Sequence, residues 1–515
     1  MADPAATEAA DLVDGFLGTP NDRLAAVFQR LAEALWRQGR PTELAVPAAA
    51  ELADRLPGTD DTRRGYVAIL LGLLLEAGLP DPDERIVRAV RDRLPAILEL
   101  WRGTGPTPVR LALMFLLAHF PSDRDAVLAV AVGLGIDADD MSRLDRALAT
   151  LDAADPVVGR MFPYPAVWAE LDDAEKKADQ AWIDALTPEQ VTFHWNNDTL
   201  TILGTMGAKA YWAVGNGLPA PVVPDEVMPR DPHPQDADPE LFRRHDETIR
   251  CSQCGGRLTF AATVARCESC GTGFSVAKGI LNLTTPLDDG SEHSDDFLYQ
   301  LANMTSMAYF INAYARPNFK RLCGMNYDDR VNPAWEDEYI ATHVQPVDGP
   351  VLDLAAGGGR WTKVLADAVG AERVVPIDLL PSILASLRYR LPEIPAVVAN
   401  ARKIPFPDAS FGAALCWNAL QAFPAEAPAA IAEIGRVLRP GGTFSLFTFW
   451  NSGDPIYAHF VGLHNFPQHA GGLHLFDWAD LHTWLAEAGL RIRDTAHHGL
   501  CFILTAEKID PAVQP

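Results

Sequence analysis

The run Val351-Leu-Asp-Leu enters Ala355-Ala-Gly-Gly-Gly359 and then a helical pattern from Arg360 to Val369, and this passage constrains the chain more than any other. A short, mostly apolar run suits a buried parallel strand, covered on both faces. The glycines let the backbone turn tightly and pass close to a ligand, and a helix starting there offers N–H groups to a carboxylate or another polar group. Arg373-Val-Val-Pro-Ile-Asp378 reads as the next strand, ending in a carboxylate that can accept hydrogen bonds from both hydroxyls of a ribose. Strand, turn, helix and acidic strand end predict an α/β sheet with a ligand crevice beside Gly357 and Gly359.

A nicotinamide-dependent oxidoreductase also begins this way. Here, however, Thr362 stands where a third glycine would follow, and Pro405-Phe-Pro-Asp has no role in that fold. The later elements point elsewhere. Ala396-Val-Val-Ala-Asn-Ala-Arg-Lys-Ile-Pro-Phe-Pro-Asp-Ala-Ser-Phe411 precedes a fourth strand over 412–417, a helix ending in Arg436-Val-Leu-Arg-Pro-Gly-Gly442 and a fifth strand over 443–448. In this order, residues 295–508 resemble the class I S-adenosylmethionine-dependent methyltransferases of the methyltransferase-11 type. Tyr314-Ala-Arg-Pro-Asn-Phe upstream, the late helix within 475–490 and the final antiparallel strand from Phe502 to Lys508 belong to the same resemblance.

That resemblance implies a Rossmann-like domain binding S-adenosylmethionine. Asp353, Gly357 and Gly359 would hold the methionine part, with Ala355 opening the same turn; Asp378 and Leu379 would hold the ribose, and Asn400 with Ala401 the adenine. Trp417 would lie beside the sulfonium, a role that competes with ordinary core packing. The chain departs from the family in having Ala355 for a glycine, Asn400 for an acidic residue and Gly412 for an aspartate, the last loosening a structural anchor.

A sulfonium methyl is already activated, so alignment and water exclusion carry most of the catalysis and catalytic residues are weakly specified. An imidazole would suit a proton-bearing acceptor. Residues 451–475 contain His459, His464, His469 and His474, and in the family this insertion lines the substrate pocket. His464 and His469 are the first candidates for a general base, against the commoner explanation of solvated loop histidines. Trp361 and Trp450 are expected at the cleft mouth, where they would suit an apolar or aromatic substrate.

Cys251-Ser-Gln-Cys254 and Cys267-Glu-Ser-Cys270 form two CxxC pairs separated by twelve residues. Four thiolates at this spacing suit a closed, structural tetrahedral Zn2+ site, with two disulfides as the competing reading. Gly255, Gly256 and Gly271 are expected to supply the positive φ angles of the ligand turns. The module resembles the zinc ribbon preceding the catalytic domain of ribosomal-RNA guanine methyltransferases, and Phe274-Ser-Val-Ala-Lys-Gly-Ile-Leu-Asn-Leu sustains the likeness.

The N-terminal part carries apolar residues at helical spacing. Leu24-Ala-Ala-Val-Phe-Gln-Arg-Leu, Ala68-Ile-Leu-Leu-Gly-Leu-Leu-Leu and Leu111-Ala-Leu-Met-Phe-Leu-Leu-Ala recur about 43 residues apart. The period resembles HEAT repeats, and an irregular bundle fits equally. Intervening helices are expected near 84–101 and 122–134. The fold class is therefore multidomain: an all-α HEAT-like or bundle domain over 1–200, a linker over 201–248 rich in prolines and aspartates, a zinc ribbon over 249–290, and a class I methyltransferase domain over 291–515.

The 515-residue chain has 68 acidic and 43 basic residues, a net charge of −25, which argues against a nucleic-acid partner. The longest apolar runs, at 67–75 and 111–117, fall short of the roughly 20 residues of a membrane span. The first 15 residues lack a secretory pattern, and seven cysteines do not suggest a disulfide scaffold, so a cytoplasmic protein is expected. The expected activity is methyl transfer to a small organic molecule, a specialised metabolite. The alternatives are a peptide, carrier-bound or RNA acceptor docked on the helical and zinc-ribbon domains, and an inactive binding scaffold.

Overall fold

The computed structural model describes residues 4–37, 39–79, 81–152, 170–218, 238–286, 325–464 and 473–510, together with Ser306, Tyr309, Lys320, Arg321, Cys323 and Ala512. The chain divides into two units: Met1–Phe162 with Ile183–Pro224 and Gly453–Asn465, and Pro163–Trp182 with Asp225–Ser452 and Phe466–Pro515. Among the described residues, no helix is long and apolar enough to cross a membrane.

The first unit is helical: α1 (Pro4–Leu17), α2 (Leu24–Leu35), α3 (Ala45–Arg55), α4 (Asp61–Glu76), α5 (Glu84–Arg91), α6 (Leu94–Gly103), α7 (Pro108–Leu117), α8 (Arg124–Val132), α9 (Ala138–Ala147) and α10 (Pro188–Asn216). The single helix expected near 84–101 is two, α5 and α6, with Pro95 in the first turn of the second. Asp60 caps α4 by accepting from the N–H groups of Thr62 and Arg63, and the helix is buried on every side from Gly65 to Glu76. Such an all-round apolar helix belongs at the centre of a domain.

In a repeat stack each unit touches its neighbours alone. Here α10 packs against α4, α7 and α9 together, as a bundle does. It opens with a capping box between Thr187 and Gln190 and ends at Gly217 with φ 65°. Much of the segment expected to begin a linker at 201 is therefore helix. Gly204 and Gly207 weaken its helical pattern in the sequence, but they are what lets it pack: a Cβ on Gly207 would lie 2.2 Å from the Phe460 ring.

The second unit holds an 11-stranded sheet. Its strands are β1 (Leu258–Phe260), β2 (Val264–Cys267), β3 (Gly273–Ala277), β4 (Ile280–Pro286), β5 (Val351–Leu354), β6 (Val374–Asp378), β7 (Ala396–Val398), β8 (Phe411–Trp417), β9 (Leu438–Phe449), β10 (Leu490–His498) and β11 (Cys501–Lys508). Their spatial order is β10-β11-β9-β8-β5-β6-β7-β4-β3-β2-β1. From β9 through β8, β5, β6 and β7 to β4 the pairs are parallel, and both edges are antiparallel hairpins. β5 and β8 are buried at every residue, as central parallel strands covered on both faces must be.

Helices of this unit include α11 (Pro333–His343), α12 (Arg360–Val369), α13 (Pro381–Arg390), α14 (Ala427–Val437) and, late in the chain, α16 (Trp478–Glu487); α15 (Pro455–Gly462) lies between them in sequence but belongs to the helical unit. The cysteine hairpins are not a separate bead. β4 pairs in parallel with β7, setting Ile280 opposite Ala396 and Asn282 opposite Val398, so the ribbon extends the main sheet.

Candidate functional site

The order in which strands are added reverses at the centre of the sheet: β6 and β7 lie to one side of β5, β8 and β9 to the other. In open α/β sheets the crevice outside the strand ends at such a point is where ligands bind. The glycine turn and Asp378, both singled out in the sequence, meet there. Ala355, Gly357 and Gly359 have φ of 57°, 57° and 85°, so the turn after β5 is left-handed at three positions. Ala355 holds a conformation that glycine adopts at lower cost.

Gly359 is the N-cap of α12, and no side chain caps that helix end. A Cβ on Gly359 would lie 2.9 Å from Leu387, so a glycine is needed for close packing as well as for φ. Asp353, 2% exposed within β5, accepts from the Thr362 hydroxyl at 2.5 Å, locking the strand to the helix it feeds.

Asp378 ends β6 with its carboxylate turned to the same turn. Its Oδ2 accepts from Gly357 N–H at 2.9 Å and its Oδ1 from Leu380 N–H at 3.0 Å. A carboxylate accepts hydrogen bonds at both oxygens, which is the chemistry that ribose hydroxyls require. Leu379 beside it is 51% exposed. Asn400 follows β7, and its carboxamide oxygen accepts from Arg402 N–H at 2.9 Å, turning its NH2 donor toward other partners. Ala401 next to it is half-buried. This acidic strand end, uncapped helix N-terminus and polar third strand end fit the ribose, carboxylate and adenine of S-adenosylmethionine in chemistry and order.

Trp417, at the end of β8, is 3% exposed and packed between Tyr339 and Phe447, with ring centroids 5.9 and 5.6 Å away. Its Nε1 donates to Glu336 Oε2 at 2.7 Å, and Lys320 pairs with the other carboxylate oxygen. Burial pushes the Glu336 carboxyl above its ordinary range, opposed by Lys320 and by the Trp417 hydrogen bond. The neighbouring Asp337 pairs with Arg360 at 2.8 Å. The sequence reading missed Glu336, Asp337, Lys320 and Arg360; Asn332-Pro333 signals a helix start there, but nothing local names the partners.

The insertion after β9 is placed differently from expectation. His464 lies in the helical unit, 6% exposed, with Nδ1 donating to Phe460 O at 3.1 Å and Nε2 3.2 Å from Thr205 Oγ1. Burial pulls it down to about 4. Both nitrogens are engaged in a packed core, which corrects its candidacy as a general base. His459 is held by Glu76 Oε2 at 3.1 Å. His469 and the motif from Tyr314 lie outside the described residues. Trp361 is buried at 7% exposure, and Trp450 donates to Gly499 O at 3.1 Å.

In the ribbon, the Cys251, Cys254, Cys267 and Cys270 Sγ atoms lie within 4.8 Å of one another. Cys251 and Cys270 are 3.7 Å apart and Cys254 and Cys267 3.5 Å, far from the bonded distance of about 2.05 Å. Four Zn–S bonds of about 2.3 Å in a tetrahedron separate the sulfurs by roughly 3.8 Å, close to this spacing. Gly255 and Gly271 have φ of 73° and 77°. Gly256 does not have the expected positive φ; its Cβ would lie 2.8 Å from Cys267 Sγ, so close packing is what requires it. The acidic group Asp137, Asp139 and Asp140 already has Lys209 Nζ at 2.7 Å from Asp140.

A family model described as a methyltransferase domain matches residues 351–442, the span from β5 through the glycine turn, Asp378, Asn400 and Trp417. An uncharacterized methyltransferase of Mycobacterium tuberculosis is 39% identical over 127 residues, 24% of this chain and 49% of that protein. Demethylmenaquinone methyltransferase of Symbiobacterium thermophilum is 31% identical over 151 residues, 25% of this chain and 59% of that protein. The chain thus spans about half the length of the curated relatives it matches. A SAM-dependent methyltransferase from Methanosarcina mazei has 22% identity, covering 33% of this chain and 96% of that one with a TM-score of 0.28. The chain carries a methyltransferase domain in its α/β unit, and the cysteine ribbon and helical bundle lie outside the matched residues.

Proposed function

We propose that this chain is an S-adenosylmethionine-dependent methyltransferase acting on a small organic molecule. The observation that carries the reading is the Asp378 carboxylate, hydrogen-bonded to Gly357 N–H at 2.9 Å inside the matched methyltransferase domain. Bound S-adenosylmethionine supplies a methyl group activated on a sulfonium. Asp378 accepts from the ribose hydroxyls, with Leu379 against the sugar. Asn400 and Ala401 meet the adenine edge. The turn from Ala355 to Gly359, braced by Asp353, meets the methionine part with the open N-terminus of α12.

Trp417 closes the crevice at the end of β8 and excludes water, which matters because a dry site strengthens every electrostatic contact within it. With His464 in the helical core, alignment rather than a named base carries the chemistry, and His469 stays a proposal for acceptors that must lose a proton. The relative named for demethylmenaquinone methylation supports a small-molecule acceptor, and the charge of −25 weighs against RNA. The four cysteines hold structural Zn2+, a role supported by their sulfur spacing and by four protein ligands leaving no open position.

The test is incubation of the zinc-loaded protein with cell extract and isotopically labelled S-adenosylmethionine, read by mass spectrometry. Label in small molecules supports the proposal. Label in protein-sized products alone would replace the acceptor class with a peptide or carrier, and cofactor binding without any labelled product would favour the scaffold.

A further inference from the structure

Two consecutive residues near the start of α11 reach different walls of the crevice. Glu336 accepts from Trp417 Nε1 at 2.7 Å, at the end of β8. Asp337 Oδ2 accepts from Arg360 Nη2 at 2.9 Å, with Oδ1 2.8 Å from the same nitrogen as an ion pair, on the first residue of α12 after the glycine turn. Adjacent helical residues point about 100° apart, so neighbours such as these let one short stretch of helix serve two walls.

The turn itself is fixed. Asn332 caps it by accepting from Trp335 N–H at 3.0 Å, and Lys320, which bonds to Val331 O at 3.1 Å, pairs with the remaining oxygen of Glu336. One turn further along, Tyr339 packs on the Trp417 ring. Glu336 is 1% exposed, so its charge is sustained by Lys320 and by the indole N–H rather than by water.

We propose that Glu336 and Asp337 are positioning residues of the methyl-donor site, holding Trp417 and Arg360 so that the two rims of the crevice are set in one geometry before the donor binds. The inference rests on the function proposed above. Neither carboxylate needs to touch the donor. A site ordered in advance binds more tightly because less freedom is lost on binding.

The experiment is calorimetric titration of the full-length, zinc-loaded protein with S-adenosylmethionine, using E336Q, W417F and their double variant, then D337N, R360Q and theirs. Each single variant is expected to lose roughly five- to tenfold in affinity, and each double no more than the worse of its singles, because both substitutions remove one shared constraint. Singles within twofold of the unsubstituted protein, or losses that multiply in the doubles, would overturn the proposal. A purely architectural pair would lower the unfolding midpoint and leave the affinity of the folded protein unchanged. Should E336Q fail to fold with Lys320 deprived of its carboxylate, the Asp337–Arg360 cycle, whose side chains are 38% and 32% exposed, decides the matter. Absence of binding by the unsubstituted protein would instead sink the proposed function.

Discussion

The backbone N–H of Arg250 donates to Pro405 O at 3.1 Å, tying the residue before Cys251 to the loop that follows Asn400. The β4–β7 pairing ends two residues short of the same asparagine, with Asn282 opposite Val398. The cysteine ribbon therefore braces the strand and loop that flank Asn400, the residue proposed to meet adenine.

Metal removal should then be felt at the cofactor site. Purified, reduced protein is expected to contain about one zinc per chain, and stripping it with a chelator should weaken S-adenosylmethionine binding by roughly tenfold while speeding amide exchange across 396–406. Zinc content is read by plasma mass spectrometry and affinity by calorimetry. Unchanged affinity after stripping would show that the ribbon and the site are uncoupled.

Gly412 should prove intolerant of a side chain. A Cβ there would lie 2.2 Å from Val347 O, because the strand passes directly beside the segment leading into β5, with Gly412 N–H donating to Pro350 O at 2.8 Å. What looked in the sequence like a loosened anchor is a tighter one, made by backbone. G412A is expected to cost about 2–3 kcal/mol through overpacking, seen as a lower thermal midpoint. A midpoint equal to that of the unsubstituted protein would refute the contact.

The acid response of the helical unit contains opposing parts. His464 is held at about 4 by burial and His119 is lowered by the same cause, whereas burial raises Asp140 and Asp198 to about 6. A histidine depressed in the folded state binds its proton first in the unfolded chain, so its stability is present above about 6.5 and lost as pH falls toward 4. The raised carboxyls act in the opposite direction, adding stability as pH falls through about 6. From pH 7 to 5, His464 alone should withdraw about 2 kcal/mol. Denaturant unfolding of H464Q should show a smaller drop over that interval than the unsubstituted protein, and an equal drop would show that His464 is not the buried, neutral group described.

Much of the α/β unit was legible because its signals are local. Val351-Leu-Asp-Leu is buried at every residue, Gly357 and Gly359 sit where φ is positive, and the helix starts at Arg360 as its pattern predicts. Asp378 was legible for the same reason: a strand must end before a turn, and its last polar residue faces the crevice. The cysteine spacing carried the sulfur cluster directly.

What stayed hidden depends on partners remote in sequence. Residues 453–465 join the helical unit through contacts such as His459 with Glu76, 383 residues apart, and Phe460 with Gly207. No periodicity announces such a transfer, and it is why His464 looked like a pocket residue. The same distance problem concealed Glu336, 81 residues from Trp417. The glycines of α10 lowered its helical signal while enabling its packing, which drew the expected linker too early.

The central claim is that Asp378 and the glycine turn receive the adenosyl group, and calorimetry of the zinc-loaded protein and its D378A variant with S-adenosylmethionine tests it most directly. The account predicts one binding event per chain, weakened in D378A by about 1.5–3 kcal/mol, the usual worth of hydrogen bonds to a charged group. No heat with the unsubstituted protein at millimolar ligand, or equal affinity in D378A, would contradict it.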